Sequence, residues 1–255
     1  MNKLWIFGDS FSAGSGIRPH NEYSKLLVKT ENITASEVNR YSWQFLLSME
    51  LNLELKEYAI SGGSNQDTVT SILQQINNFE KGDTIIIGWT FPHRISLPIK
   101  GWHQVYKSLS NHLLSVYDFN DHVPSPLNEL YIKFYSEAIM PQIYELSVYW
   151  NDILIELIKN LNSNNYYNVK TWDWVDLKGK FETITSATNG KLTDLHPSIN
   201  GHESIYKVIS KLPNGSICKP PNPIINLNDT KTIQIVLHRA LRKLKGLNPF
   251  NKDII

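Results

Sequence analysis

Short apolar runs that end at turn residues divide the first part of the chain. LWIF at residues 4–7 and TIII at residues 84–87 are each followed at once by a glycine, and residues 53–60 form a third run between them. Apolar runs of this length, bounded by glycine or polar residues, are typical of buried strands. The pattern therefore predicts three strands, of which Gly8 ends the first and Gly88 the third.

Amphipathic segments separate these strands. Residues 42–51 place apolar side chains on one face, with Ser42 as the N-cap, and residues 67–79 show the same helical spacing. Strands that alternate with helices predict a parallel sheet with crossover connections, which is an α/β fold. Ligands collect at the carboxyl edge of such sheets. Because the glycine-bearing turns all follow strands, we expect them to meet at that edge.

The rest of the chain predicts one domain with additions. We expect an α/β domain at residues 1–212, followed by a linker and a basic amphipathic extension at residues 213–255. The extension is expected to pack on its own domain or on a neighbouring subunit of a homo-oligomer. The other segments predicted within the domain are insertions at about 17–41 and 92–127, a helix at 128–161 broken near Pro141, a strand at 166–174 and a helix at 198–212.

Composition and charge narrow the classes of function. The 255 residues carry a formal net charge of +1 with 19% charged residues, which predicts no general affinity for nucleic acid. The single cysteine, Cys218, excludes an internal disulfide and a multi-thiolate zinc site. No apolar stretch has the length of a signal-peptide core or of a membrane helix. These features predict a cytoplasmic protein that does not insert stably into a membrane.

The stretch FGDSFSAGSG follows the first strand and offers several kinds of chemistry. It lacks the Gly-Lys-Ser/Thr ending of a P-loop, and Gly14 and Gly16 are not followed by the third glycine of a dinucleotide fingerprint. Asp9 as a nucleophile would need a second carboxylate nearby, but position 11 is phenylalanine. A serine nucleophile is therefore favoured, while a plain turn in which Asp9 or Ser10 caps a helix is the structural alternative.

A serine nucleophile needs a base, and TDLHPSINGH at residues 193–202 supplies one. Pro197 favours an extended backbone at His196, and residues two apart in an extended chain point to the same side. Asp194 can therefore accept the Nδ1 proton of His196 and leave Nε2 facing the serine. His202, in the same segment, is expected to pack or cap within the following helix.

Three blocks of the chain, in this order, resemble the SGNH/GDSL hydrolase superfamily. They are Gly8-Asp9-Ser10-Phe11-Ser12, Ser61-Gly62-Gly63-Ser64-Asn65 and Asp194-Leu195-His196-Pro197. The resemblance implies a three-layer α/β/α, flavodoxin-like fold and a serine esterase or acyltransferase mechanism, with no metal or organic cofactor. It also implies that Ser10 is the nucleophile, His196 the base and Asp194 the acid that orients it. The backbone N–H groups of Ser10 and Gly62 would donate to the oxyanion.

The third block of the superfamily differs in this chain. Gly-x-Asn-Asp is usual, and its asparagine is an oxyanion donor, but here the stretch is Gly88-Trp89-Thr90-Phe91. We predict that the Thr90 hydroxyl takes the place of that amide, with the Asn65 amide as the substitute. The residues predicted to contact substrate are Asp9, Gly63, Asn65, Trp89 and Arg94.

The predicted activity is hydrolysis of a small acyl ester, in the first place an acetyl ester, of a small molecule or a glycan. The carbohydrate part of this prediction follows from the habits of the superfamily and from the seven tryptophans of the chain, which suit stacking on sugars. An acyltransferase, in which a bound alcohol replaces water, is the first alternative. A non-catalytic binding module is the second, suggested by the missing Gly-x-Asn-Asp block.

Overall fold

The structure, a computed structural model, describes residues 1–18, 21–31, 33–90, 96–98, 113–115, 142–163, 166–173 and 180–220. The strands, in chain order, are β1 (Lys3–Phe7), β2 (Glu54–Glu57), β3 (Thr84–Trp89), β4 (Ser96–Pro98), β5 (Leu113–Ser115) and β6 (Asn168–Asp173). The α-helices are α1 (Glu22–Thr30), α2 (Ala35–Val38), α3 (Trp43–Leu51), α4 (Asn65–Gln75), α5 (Ile143–Ser163), α6 (Ile184–Ala187) and α7 (Ile199–Ile209). Short 3₁₀ turns lie at Ser15–Ile17, Asn39–Tyr41 and Ile76–Asn78.

Four strands form one sheet in the order β2-β1-β3-β6, and all its pairings are parallel. In this register Trp5 of β1 pairs with Lys56 on one side and with Ile85 on the other. The chain moves from β1 to β2 on one side of the sheet and from β3 to β6 on the other. A crevice is therefore expected between β1 and β3 at the carboxyl edge, where α/β proteins bind ligands. The predicted α/β fold class is confirmed. β4 and β5 form a separate antiparallel pair.

The sheet is covered on both faces because alternate strand residues point in opposite directions. Trp5 and Phe7 pack on one face, in a buried cluster with apolar residues of α4 and α5. Leu4 and Ile6 pack on the other, in a cluster with residues of α3 and α7. Each large apolar side chain that is fully buried contributes about 1.5–3 kcal/mol to folding. The result is the three-layer α/β/α arrangement of a flavodoxin-like fold.

One strand boundary corrects the sequence prediction. Gly88 was expected to end β3, but the strand continues to Trp89 because Gly88 itself pairs with Trp172 of β6. This glycine is needed for a different reason. A Cβ at position 88 would overlap the Ser12 hydroxyl and lie 2.8 Å from Trp172 Nε1. The absence of a side chain at Gly88 therefore leaves room for Ser12 of the turn that follows β1; it does not end β3.

Capping side chains explain where two central helices begin. The Ser42 side chain accepts a hydrogen bond from the Phe45 N–H at 3.2 Å, which confirms it as the N-cap of α3. α4 begins earlier than predicted, at Asn65, because Ser64 and Asp67 form a capping box at its start. The first turn of α4 therefore directly follows the paired glycines after β2, at the carboxyl edge of the sheet.

The structure describes most of the first predicted insertion but little of the second. The described part of residues 17–41 contains α1 and α2, with 3₁₀ turns at Ser15–Ile17 and Asn39–Tyr41, so this segment is largely helical. Of residues 92–127, only the backbone of β4 and β5 is described. Pro141 and residues 221–255, which include the basic extension, lie outside the described residues. The domain boundary at residue 212 and the oligomer stay predictions.

Candidate active site

The turn after β1, residues 8–15, carries Ser10 at the carboxyl edge of the sheet; we call it the β1 turn. Gly8 has φ +135°, and a Cβ there would lie 2.8 Å from the Gly88 carbonyl oxygen, so this close approach requires glycine. Asp9 is fully buried, and its Oδ1 accepts from the Phe11 N–H at 3.0 Å. Its carboxylate therefore fixes the backbone around Ser10, which is itself 4% exposed.

The predicted pairing of Asp194 with His196 is present. His196 Nδ1 lies 2.7 Å from Asp194 Oδ1, and the His196 backbone N–H donates to the same oxygen at 2.9 Å. The carbonyl of Asp194 accepts from the Thr185 backbone N–H at 3.0 Å and from its hydroxyl at 2.8 Å. A bridge between Thr183 and Pro197 holds the segment extended, as the proline predicted.

Burial and hydrogen bonding act in opposite directions on the Asp194 carboxyl. Burial alone would raise its pKa, but hydrogen bonds from the side chain and backbone of His196 outweigh that effect, with a smaller contribution from Asn21. The pKa falls from the ordinary 3.8 to about 2. Asp194 is therefore ionised over the whole physiological range and can hold the His196 ring with Nδ1 protonated.

Three contacts bring this pair to the β1 turn. The His196 ring lies against the Phe11 ring, with 5.2 Å between their centroids. The Asn21 side-chain amide donates to the Ser15 carbonyl and to Asp194 Oδ2, both at 3.3 Å. Asn21 thus bridges the turn and the carboxylate. The fold assembles residues from the first and last thirds of the described chain at one edge of the sheet.

The backbone N–H groups of Ser10 and Gly62, like those of Ser12 and Ser61, donate no hydrogen bond to any described residue. Gly62 has φ +77°, a left-handed conformation that favours glycine. The neighbouring Gly63 N–H is used within its own turn, where it donates to the Ile60 carbonyl at 2.8 Å. Backbone N–H groups without a partner are suited to an oxyanion, so the roles of Ser10 and Gly62 in an oxyanion hole stay predictions.

The side chains predicted for the third oxyanion donor belong to one buried network. The Thr90 hydroxyl donates to Asp9 Oδ2 at 3.0 Å, and a hydroxyl has only one hydrogen to give. The Thr90 N–H donates to Asn65 Oδ1 at 3.2 Å. This arrangement directs the Thr90 hydrogen away from an oxyanion. It favours the predicted substitute, Asn65, whose side-chain nitrogen carries two hydrogens.

The residues predicted to contact substrate occupy unequal positions. Asp9 and Trp89 are fully buried, Asp9 inside the β1 turn and Trp89 in the cluster under α5. Trp89 therefore packs in the core and does not form the wall of an open pocket, because its side chain points to the core face of β3. Gly63 and Asn65 lie at the carboxyl edge, at the start of α4. Arg94 lies outside the described residues.

Several partners in the site have no signal in the sequence. Asn21 and Thr185 support Asp194, yet neither has a spacing in the chain that connects it with that residue. His202 is a residue of α7, and its side chain is fully buried. Burial lowers its pKa to about 3, with a smaller contribution from the His196 charge. His202 is therefore neutral at physiological pH. Where side chains are described, no group of three or more His, Cys, Asp or Glu could hold a metal ion.

A cavity of about 470 Å³ lies next to the β1 turn, which contributes Ala13 and Gly14 to its walls. Its walls include Gly14, Ile17 and Leu55, and its polar side is the ion pair between Arg18 and Glu57. Burial raises the pKa of the Glu57 carboxyl, an effect that the nearby Arg18 opposes. None of the catalytic candidates lines this cavity.

Within the described ranges, no helix has the length and apolar character needed to cross a membrane.

Comparison with known proteins gives similarity only at the level of solved structures. No protein-family model matches the chain, and no curated protein sequence matches it. A member of the lipolytic protein G-D-S-L family from Veillonella parvula DSM 2008 is 13% identical, with a TM-score of 0.32, over 83% of this chain and 98% of that one. LAE5, an alpha/beta hydrolase enzyme from the metagenome of Lake Arreo, Spain, is 15% identical, with a TM-score of 0.31, over 82% and 93%. A GDSL-family protein is thus among the similar structures, but TM-scores this low carry no inference about activity, which depends on the residues of the chain itself.

Proposed function

We propose that the chain is a serine ester hydrolase with Ser10 as nucleophile, His196 as base and Asp194 as the residue that orients His196. One observation carries the proposal: an ionised Asp194 is bonded to His196 at 2.7 Å, and this pair lies against the turn that bears Ser10. A structural role alone does not call for a partly exposed imidazole held by a partly exposed carboxylate at a sheet edge. The side chains of His196 and Asp194 are 28% and 27% exposed, so the pair is open to a ligand.

The proposed reaction has two steps. Ser10 Oγ attacks the ester carbonyl carbon, its proton passes to His196 Nε2, and the alcohol leaves with that proton when the tetrahedral intermediate collapses. Water then gives a proton to His196 and attacks the acyl-enzyme, which releases the acid and restores Ser10. Asp194 stays ionised throughout and stabilises the imidazolium that forms in each step.

The negative charge on the carbonyl oxygen needs donors that are in place before the reaction. The N–H groups of Ser10 and Gly62 are proposed as two of them, because neither has another partner among the described residues. The side-chain amide of Asn65 is proposed as the third, because the Thr90 hydrogen is given to Asp9. Removal of one such donor typically slows the reaction about 10²–10³-fold.

The proposed substrate is a small acyl ester, in the first place an acetyl ester. A carbohydrate alcohol stays a prediction that rests on the resemblance to the superfamily. The number of tryptophans lends it little support, since four of the seven are in the core: Trp5, Trp43, Trp89 and Trp172. Comparison of p-nitrophenyl acetate with an acetylated monosaccharide tests this part separately from the chemistry.

Labelling with a fluorophosphonate probe tests the mechanism. We expect the native chain to be labelled, and both Ser10→Ala and His196→Ala to lose labelling. Ser15→Ala is the matched control, because Ser15 lies in the same turn and its hydroxyl is bonded only to Ser61 at 3.3 Å in the described part of the chain. Labelling that persists in Ser10→Ala, or its absence from the native chain, contradicts the proposal. An increase in acyl release when an alcohol is added would identify a transferase instead.

A further inference from the structure

Asn151 occupies an unusual position on α5. The residues that follow it at helical spacing, Leu154, Ile158 and Leu161, are buried in the cluster against the sheet. Asn151 continues this apolar stripe towards the N-terminus of the helix and is itself only 4% exposed. An aliphatic side chain would suit this position better for folding, because a buried amide loses water that the protein must replace with hydrogen bonds.

The protein replaces only part of those bonds. Asn151 Oδ1 accepts from Asn65 Nδ2 at 2.7 Å, in a contact that is buried on both sides. Asn151 Nδ2 is buried and makes no hydrogen bond with any described residue. The asparagine therefore leaves an unsatisfied donor in the core. Polar residues that weaken a core in this way are expected at functional sites.

The bond from Asn65 gives Asn151 a specific effect on the site. Asn65 Oδ1 accepts from the Thr90 N–H at 3.2 Å, and one hydrogen of its Nδ2 goes to Asn151. These two bonds, at opposite ends of a planar amide, fix both its plane and which end carries the nitrogen. The second hydrogen of Nδ2 is then held in one direction. Without the acceptor on Asn151, the amide of Asn65 could rotate and lose that direction.

We propose that Asn151 is a positioning residue, which orients the Asn65 amide as a donor to the oxyanion. The inference rests on the proposed function and adds to it a residue that is far in sequence from each of the three blocks. It acts only through Asn65, so the two side chains form one functional unit. Their effects on kcat should therefore not multiply.

A double-mutant cycle with p-nitrophenyl acetate tests this. Asn65→Ala is expected to lower kcat about 100-fold, as for loss of an oxyanion donor. Asn151→Leu is expected to lower kcat about 10- to 30-fold, with KM changed less than about 3-fold, because a misdirected donor affects the transition state more than binding. In the Asn65→Ala background, Asn151→Leu should lower kcat by less than about 3-fold. Asn151→Ala, which adds no bulk, is measured alongside in case leucine does not fit, and the same loss is expected.

Stability and spectroscopy separate positioning from folding. Asn151→Leu should keep its melting temperature within about 5 °C of the native chain, because removal of the unpaired Nδ2 offsets part of the cost of leaving an Asn65 hydrogen without its acceptor. Leu154→Ala, one turn further along the same stripe, is the matched control and should lower the melting temperature while kcat at low temperature is unchanged. In ¹⁵N-edited NMR, the Asn65 side-chain N–H₂ signals should shift in Asn151→Leu and stay in place in Leu154→Ala.

The outcomes distinguish the two proposals. If the native chain shows no Ser10-dependent turnover, the proposed function fails, and the role of Asn151 fails with it. If that turnover is present and Asn151→Leu has the native kcat, only the role of Asn151 is overturned. Losses for Asn65→Ala and Asn151→Leu that multiply in the double variant also overturn it, because they would show that Asn151 acts independently of Asn65.

Discussion

Asp9 is next to the proposed nucleophile in the chain, whereas the fold brings Asp194, with His196, to the turn that carries this nucleophile. Asp9 is fully buried and its oxygens accept from the Phe11 N–H and the Thr90 hydroxyl, groups that do not change their charge. Asp194 is 27% exposed and is bonded to His196, which can gain a proton. The same carboxylate group therefore shapes the backbone in one place and, in the proposed mechanism, supports proton transfer in the other, according to its partners and its exposure.

The largest effect is expected on the proton-transfer side. His196→Ala should lower kcat by about 10⁶-fold, because His196 is the base proposed to take the proton from Ser10. Steady-state hydrolysis of an acetate ester measures this. Leu195→Ala is the control, because Leu195 is the neighbouring residue and is 68% exposed, and native kcat is expected. Native turnover in His196→Ala would remove His196 from the mechanism and, with it, the contrast between the two carboxylates.

Asp194→Asn should have the next largest effect, lowering kcat by about 10⁴-fold with the fold retained. An amide at position 194 would donate to His196 Nδ1 and so favour the tautomer with a proton on Nε2. That tautomer cannot accept the proton of Ser10. The pH dependence of kcat together with circular dichroism would separate loss of the base from loss of structure. A decrease smaller than about 10-fold would mean that Asp194 only holds the segment in place.

For the buried hydrogen bond between Thr90 and Asp9, we expect a change in stability and little change in activity. Thr90→Val keeps the shape of the side chain but removes the hydrogen bond to Asp9 Oδ2, so we expect a loss of about 1–3 kcal/mol in the free energy of unfolding. If Thr90 is not an oxyanion donor, kcat should change by less than about 3-fold. Urea unfolding and steady-state kinetics on the same sample check both parts. If turnover instead slowed by about 100-fold while stability stayed unchanged, the Thr90 hydroxyl would be restored as the third donor.

The smallest effect is on stability in acid. The pKa of Asp194 is about 2 in the folded chain against an ordinary 3.8, so its stabilising effect is complete above about pH 4 and is lost as the pH falls towards 2. Because the side chain is partly exposed, we expect this effect to be about 1 kcal/mol. Urea unfolding at pH 5 and pH 3 should show a smaller loss in Asp194→Asn than in the native chain. Equal losses in both would mean that the bond to His196 does not stabilise the folded state.

The sequence predicts well those parts of the fold and of the site that depend on local geometry. The pairing of Asp194 with His196 follows from an extended backbone before Pro197, and Ser42 is recognisable as a cap because it stands directly before an apolar face. Gly88 shows the limit of local reasoning. Its predicted role as a strand terminator is wrong, because the reason for a glycine there is the Ser12 side chain, which arrives from a different turn.

The order of strands and helices, the paired residues of the DLHP segment and the position of a serine after a strand are all determined by the sequence itself, because each depends on neighbours within a few residues. The donor at the third oxyanion position is decided only by tertiary structure. Thr90, Asn65 and Asn151 belong to three separate parts of the fold, and which hydrogen each one gives depends on how β3, α4 and α5 pack. A hydrogen can be donated to one partner at a time, so the choice between Thr90 and Asn65 could not be made before those elements were brought together.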